Sequence, residues 1–226
     1  MSKFDKFINL VSSTNYELLK TKKIMVIGLG GVGGYVVEAL VRCGIENIVL
    51  VDCDVIEATN INRQIIALSS TIGMRKTTAF YQRIKDINDE CNVLLINDFI
   101  DKDNINIIDK SVDYVVDAID SIDSKKAIIR HCLKEKIKFI SCMGMGNKLD
   151  PSMIEITDIR KTSYDKIAKI IRKMVKEENI KQKIMVVSSK EQPISSNNQL
   201  NSCSFVPSVA GLMCASYIIN DIIKNT

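Results

Sequence analysis

The strongest constraint on this chain lies in residues 24–54, which read as strand, glycine turn, helix, strand and acid. Ile24-Met25-Val26-Ile27 is a short apolar run suited to a strand buried on both faces. It enters Gly28-Leu29-Gly30-Gly31-Val32-Gly33-Gly34, and residues 35–43 then read as a helix stopped by Gly44. Ile48-Val49-Leu50-Val51 is a second apolar strand, ended by Asp52. Gly28, Gly30 and Gly33 carry the G-x-G-x-x-G spacing, which allows a tight turn, close approach of backbone to phosphate and close helix–strand packing. The helix start offers N–H groups to an anion, and Asp52 can accept hydrogen bonds from a ribose. Three glycines alone are a weak signal. In this order of elements they predict a nucleotide-binding unit.

The alternation continues. Residues 74–88, 104–109 and 124–134 read as helices, and residues 93–96, 114–116 and 138–142 as strands. Beyond Asp150-Pro151 the pattern changes: a half-buried strand over 153–159, an amphipathic helix over 164–178 and a strand over 184–187. Ile167, Ile170, Ile171, Met174 and Val175 form the helix stripe. Residues 192–204 are polar and aperiodic and read as a mobile loop, and residues 205–225 as a long apolar helix. Residues 1–23, with Phe4, Phe7 and Leu10, suit short helices on the domain edge or on a second subunit. The expectation is one α/β domain over 1–226, with a doubly wound, Rossmann-like, mostly parallel sheet. Residues 22–146 would be its nucleotide-binding core and 147–226 a C-terminal strand–helix extension serving RNA contact and dimerisation.

Composition narrows the partners. The 226 residues are 46% hydrophobic and 26% charged, as in a soluble globular domain. No apolar core of signal-peptide length precedes Ile24, and the longest apolar tract, 209–219, is shorter than the roughly 20 residues of a membrane span. A cytoplasmic protein without a membrane partner is expected. Seven cysteines, odd in number and without a C-x-x-C pair, argue against structural zinc or a disulfide framework. The net charge is +4, but residues 160–183 hold nine basic and three acidic side chains, so that segment is +6 and the remainder −2. Lys166, Lys169, Arg172, Lys173 and Lys176 on the amphipathic helix are therefore a candidate nucleic-acid face.

Ligands of such sheets sit at the carboxyl ends of the strands. Those ends gather Gly28, Gly30, Gly31 and Gly33, then Asp52 and Asp54, then Asn60, Arg63 and Gln64, with Lys76 opening a helix and Asp120 following the fourth strand. Two cations and an extra carboxylate suit a polyphosphate with magnesium. A nicotinamide oxidoreductase would need the glycines and Asp52 without the metal carboxylate, and a non-catalytic module would bind ATP without turnover. His131 lies inside a predicted helix and receives no role. Cys203 is the most accessible thiol by position, yet nothing near it in sequence activates it.

Gly28-x-Gly30-Gly31-Val32-Gly33, Asp52-x-Asp54, Asn60-x-x-Arg63-Gln64, Lys76 and Asp117-x-x-Asp120 together resemble the ubiquitin-activating-enzyme superfamily of ThiF-type adenylating proteins. The resemblance implies that Asp52 holds the ATP ribose, that Asn60, Arg63 and Lys76 hold phosphates, that Asp54 and Gln64 belong to the same ATP site, and that Asp120 binds magnesium. Ile154-x-x-Thr157-Asp158-Ile159-x-Lys161-Thr162, Val186-Val187-Ser188-Ser189-Lys190-Glu191-x-Pro193 and Ser204-Phe205-Val206-Pro207-x-x-x-Gly211 resemble one bacterial branch, the tRNA threonylcarbamoyladenosine dehydratases. That branch activates the threonyl carboxylate of N6-threonylcarbamoyladenosine, beside the anticodon, with ATP, and the group then closes to a ring with loss of water. A homodimer is implied, and a cysteine-desulfurase system is a further partner. The missing zinc cysteines set the chain apart from the sulfur-carrier adenylating enzymes, which are the alternative reading. Superfamily members also carry an N-terminal arginine that reaches the partner subunit's ATP. Here the first arginine is Arg42, and Lys3 or Lys6 stands near the expected place.

Overall fold

The computed structural model describes residues 2–194 and 199–224. Its strands are β1 (Lys23–Ile27), β2 (Asn47–Val51), β3 (Asn92–Ile96), β4 (Tyr114–Asp117), β5 (Lys138–Cys142), β6 (Ile154–Asp158) and β7 (Met185–Ser189). They form one sheet in the order β3-β2-β1-β4-β5-β7-β6. Among the described strands only β6 runs antiparallel; its register with β7 sets Ile156 opposite Val187. β1 lies between β2 and β4, parallel to both, so the chain reverses its direction of winding beside the glycine turn.

Side chains alternate across each strand, and the two faces are buried by different helices. Ile24 and Val26 face a cluster with Val36, Leu40, Phe80 and Ile218. Those residues come from α3 (Gly33–Arg42), α4 (Lys76–Ile87) and α7 (Phe205–Lys224). Met25, Ile27 and Val115 face the other way, onto Ile128 and Cys132 of α5 (Ile122–Glu135). α6 (Lys166–Glu177) buries Ala168, Ile171, Met174 and Val175 against Val186 and Ile129. Two short N-terminal helices, α1 (Asp5–Val11) and α2 (Ser13–Thr21), cover one edge through Tyr16 and Leu19.

Element ends differ from the sequence expectation where capping decides them. The helix expected from residue 164 begins at Lys166, because the Asp165 carboxylate accepts from the Ala168 amide at 2.5 Å. Tyr164, just before that cap, is 58% exposed and holds a left-handed φ of 51°. The helix expected over 104–109 is a single tight turn, Ile105–Ile107. The expected mobile loop over 192–204 has no regular element in its described part, and residues 195–198, like Asn225 of the last expected helix, lie outside the described residues. The apolar tract near the C-terminus extends beyond 209–219: α7 has 20 residues, long and apolar enough to cross a membrane, with 56% of that stretch buried inside this fold.

Candidate active site

A cavity of about 810 Å³ opens at the carboxyl ends of the parallel strands. Its wall contains Gly28, Gly30, Gly31, Asp52, Asp54, Asn60, Arg63, Gln64, Lys76 and Asp120, so the fold brings these residues to one place. Gly33 stands behind the turn, where a Cβ would lie 1.7 Å from the Gly28 carbonyl oxygen. Gly28 has a φ of 88°, and a Cβ there would meet the Ala118 carbonyl oxygen at 2.8 Å. Backbone must stay bare at Gly33 for the start of α3 to meet the end of β1, and at Gly28 for the turn to pass the end of β4.

Asp52 is nearly enclosed, and it organises the turn. One carboxylate oxygen accepts from the Leu29 amide at 2.7 Å and the other from the Asp54 amide at 2.8 Å. The Lys76 ammonium, at the first position of α4, lies 2.7 Å from Asp54 and 3.7 Å from Asp52. Its hydrogen bond holds the Asp54 carboxyl below the usual aspartate range, against the opposing effect of burial. Asp52, Cys53 and Asp54 could together face a cation, but Lys76 already supplies one there. Asn60 is buried and its side-chain oxygen accepts from the Glu57 amide, while the Glu57 carboxylate accepts from the Asn60 amide. That reciprocal cap shapes the loop carrying Arg63, whose guanidinium donates to the Thr59 carbonyl at 2.8 Å and to Asn62 at 2.9 Å. Gln64 is buried in the cavity wall, and its Oε1 has no hydrogen-bond partner among the described residues. Asp120 is exposed on the opposite wall and makes no ion pair or hydrogen bond among the described residues.

Beneath Asp120 lies a pair that sequence reasoning missed. Asp117 and Lys125 are both 0% exposed, and the ammonium is 2.8 Å from each carboxylate oxygen. Lys125 also donates to Ser141 Oγ at 3.2 Å and to the Cys142 carbonyl at 2.9 Å, tying β4 to β5 directly under the 118–121 loop. The available signal is an aspartate ending an otherwise apolar strand, eight residues before a lysine on an apolar helix face.

The ThiF family model matches residues 4–225. The chain is 38% identical over 234 residues to the tRNA threonylcarbamoyladenosine dehydratase of Bacillus subtilis, covering 95% of this chain and 92% of that protein. The chain belongs to the tRNA threonylcarbamoyladenosine dehydratase branch of the ThiF family. The Escherichia coli dehydratase is 40% identical over 161 residues, a match that covers 71% of this chain and 60% of that one. A crystal structure of the E. coli dehydratase, TcdA, in complex with ATP superposes with a TM-score of 0.94 at 33% identity, covering 99% of this chain and 94% of that chain. Another contains AMP. The dehydratase fold thus spans both halves of the chain.

In this dehydratase-branch chain the basic helix is divided. Lys166, Lys169, Lys173 and Lys176 are exposed, and Lys173 lies 3.6 Å from Glu177. Arg172 departs from the expected row: its half-buried guanidinium turns inward and donates to the Thr162 carbonyl at 2.9 Å and to Thr162 Oγ1. Lys3 is engaged by Asp89 of its own chain at 2.6 Å, and Lys6 is exposed. The Cys203 thiol donates to the Lys148 carbonyl at 3.6 Å, and His131 shares a 2.7 Å hydrogen bond with the Ile108 carbonyl.

Proposed function

We propose that this protein performs the ATP-dependent dehydration of N6-threonylcarbamoyladenosine in tRNA. The observation that carries the reading is the cavity joining the glycine turn, Asp52, Arg63, Lys76 and Asp120 in a chain that aligns almost end to end with a dehydratase. The residues fit ATP. The bare glycine turn leaves room for phosphates at the start of α3, and Asp52 stands where a ribose would lie. Asp120 fits magnesium, since its carboxylate is on the wall and free of partners among the described residues.

The threonyl carboxylate is already a nucleophile at neutral pH, so its attack on the α-phosphorus needs no general base. The bond to the bridging oxygen breaks and pyrophosphate leaves with the electron pair. Arg63 and Lys76 take up the developing charge, Lys76 by exchanging Asp54 for phosphate oxygens. Magnesium held by Asp120 would neutralise charge on the leaving pyrophosphate. Ring closure then expels AMP, and the nucleoside is lighter by one water.

The exposed lysines of α6 serve tRNA phosphates, and residues 22–146 act as the ATP-binding core with 147–226 as the tRNA-facing extension. Phe205 and Leu212, exposed and two turns apart on α7, suit a homodimer face. The enzyme would work in the cytoplasm, with its substrate. Incubation with ATP, magnesium and modified tRNA should release AMP and yield the lighter nucleoside, and tRNA lacking the modification should yield neither. AMP appearing on the C-terminus of a small carrier protein, with the nucleoside unchanged, would replace this reading by the carrier-activating one.

A further inference from the structure

The cavity is polar in the middle and apolar at both ends. At one end Val55, Phe99 and Ile100 line it, beyond the tips of β2 and β3 and beside Asp52. With Asp52 at the ribose, that end takes the adenine of ATP. The phosphates then run along the glycine turn at β1 toward Asp120 after β4. The other end lies beyond the phosphates, at the tip of β5, and is lined by Met143, Met145, Ile167 and Leu200 together with Gly144, which the Asp165 carboxylate lies against, and Gly146, which the Leu200 side chain lies against. The ATP reading leaves this end unused.

Its position and chemistry identify an occupant. Ile167 belongs to the first turn of α6, so the same turn that walls the cavity carries Lys166 and Lys169 on its exposed side. An apolar slot beside cationic side chains is complementary to a base with its flanking phosphates. Met143 and Met145 are packed into the core behind this end, so they give it a fixed apolar floor, and the more exposed Ile167 and Leu200 are left to meet the ring. A nucleotide in a single-stranded loop can turn its base out of the stack at small cost.

We propose that this second apolar end is the seat of the adenine ring of the tRNA nucleoside to be modified, with Ile167 and Leu200 as its contact residues. The proposal rests on the tRNA reading above and adds the subsite. The base enters between Ile167 and Leu200, its N6 substituent extends toward Asp120 and the phosphates, and Lys166 and Lys169 hold the backbone on either side. Specificity for a nucleoside then comes from one end of the cavity and activation from the other.

The test uses the full chain and two anticodon stem-loop oligonucleotides, one with adenosine and one with an abasic site at the modified position. A stacked base is worth about 1–3 kcal/mol, so the adenosine loop should bind the parent protein roughly 5- to 150-fold more tightly than the abasic loop. Ile167→Gln should reduce that ratio to near unity, leaving the abasic loop's affinity, its salt dependence and ATP affinity within about twofold of the parent. Leu200→Gln, at a side chain 77% exposed and so without consequence for folding, should reduce the ratio as well. Equal affinities of the parent for the two loops, or equal weakening of both loops by the two variants, would overturn the proposal. These binding ratios need no turnover. A parent that discriminates between loops yet makes no lighter nucleoside would refute the dehydratase reading alone.

Discussion

Lys125→Met is the most informative single perturbation of the fold. Lys125 and Asp117 are fully enclosed, and the ammonium lies 2.8 Å from both carboxylate oxygens while also donating to Ser141 and Cys142. Methionine fills similar space but strands the Asp117 charge, leaving it the Ser141 hydroxyl at 2.5 Å and a long hydrogen bond from the Ile119 amide. Removing one partner of a buried pair costs about 3–5 kcal/mol. For a chain of this size each kcal/mol moves the melting temperature by about 2–4 °C, so a fall of roughly 6–20 °C is expected. The double variant Asp117→Asn/Lys125→Met removes the stranded charge and keeps an acceptor for Ser141. It should recover half of the loss or more. Thermal unfolding followed by circular dichroism, with urea titration as a second measure, decides the matter. A single variant within about 2 °C of the parent, or a double variant as unstable as the single, would refute the assignment of this pair as a coupled buried charge.

Three further outcomes follow from other parts of the molecule. Asp120→Ala should lower ATP turnover by about two orders of magnitude without moving the melting temperature, because the carboxylate has no partner among the described residues; near-normal turnover would remove Asp120 from the metal site. Replacing Lys166, Lys169 and Lys173 with Gln should cut the log–log salt slope of tRNA binding by up to about 0.9 for each phosphate no longer neutralised, whereas Arg172→Gln should reduce stability and leave the slope alone. Lys148 is 3% exposed, burial pushes its pKa down, and its described hydrogen bond is a 3.4 Å approach to the Ser189 carbonyl. A lowered lysine pKa means the unfolded chain binds that proton more tightly, so the cost is full below the folded-state pKa and fades as pH rises through it toward about 10.4. Lys148→Met should therefore be at least as stable as the parent at pH 7, with the difference closing in alkali; denaturant midpoints across that range would show a variant that is instead destabilised.

Much of the architecture is legible in the chain because it depends on local pattern. The apolar runs at Ile24 and Ile48 can be buried only in a sheet covered on both sides, and the glycine spacing between them admits one kind of turn. That the glycine turn, Asp52 and Asp54 would gather at one cavity is legible for the same reason, as they lie at or just after strand ends, whereas Asn60, Arg63 and Gln64 reach it through the loop after β2. What sequence hid depends on distance in space. Lys125 meets Asp117 only after α5 folds back on β4, and Arg172 finds Thr162 only once the turn after β6 is packed against α6. From spacing alone Arg172 is indistinguishable from Lys169. Asp165 shows how a cap can override periodicity: Tyr164 fits the apolar pattern of the helix, but the carboxylate after it claims the Ala168 amide.

The strand order of the sheet also separates the two ends of the cavity along the chain. The glycine turn, Asp52, Arg63, Lys76 and the apolar wall at Phe99 all precede Asp120, and the far end of the cavity is built from Cys142 onward, on the other side of β4. The two sets face each other across a gap. On the proposed reading, exchange of β6, α6 and β7 would change which acceptor is presented, whereas α7 must stay with the first half of the chain, because Ile218 shares its core with β1 and α3 and Pro207 sits against Gly31.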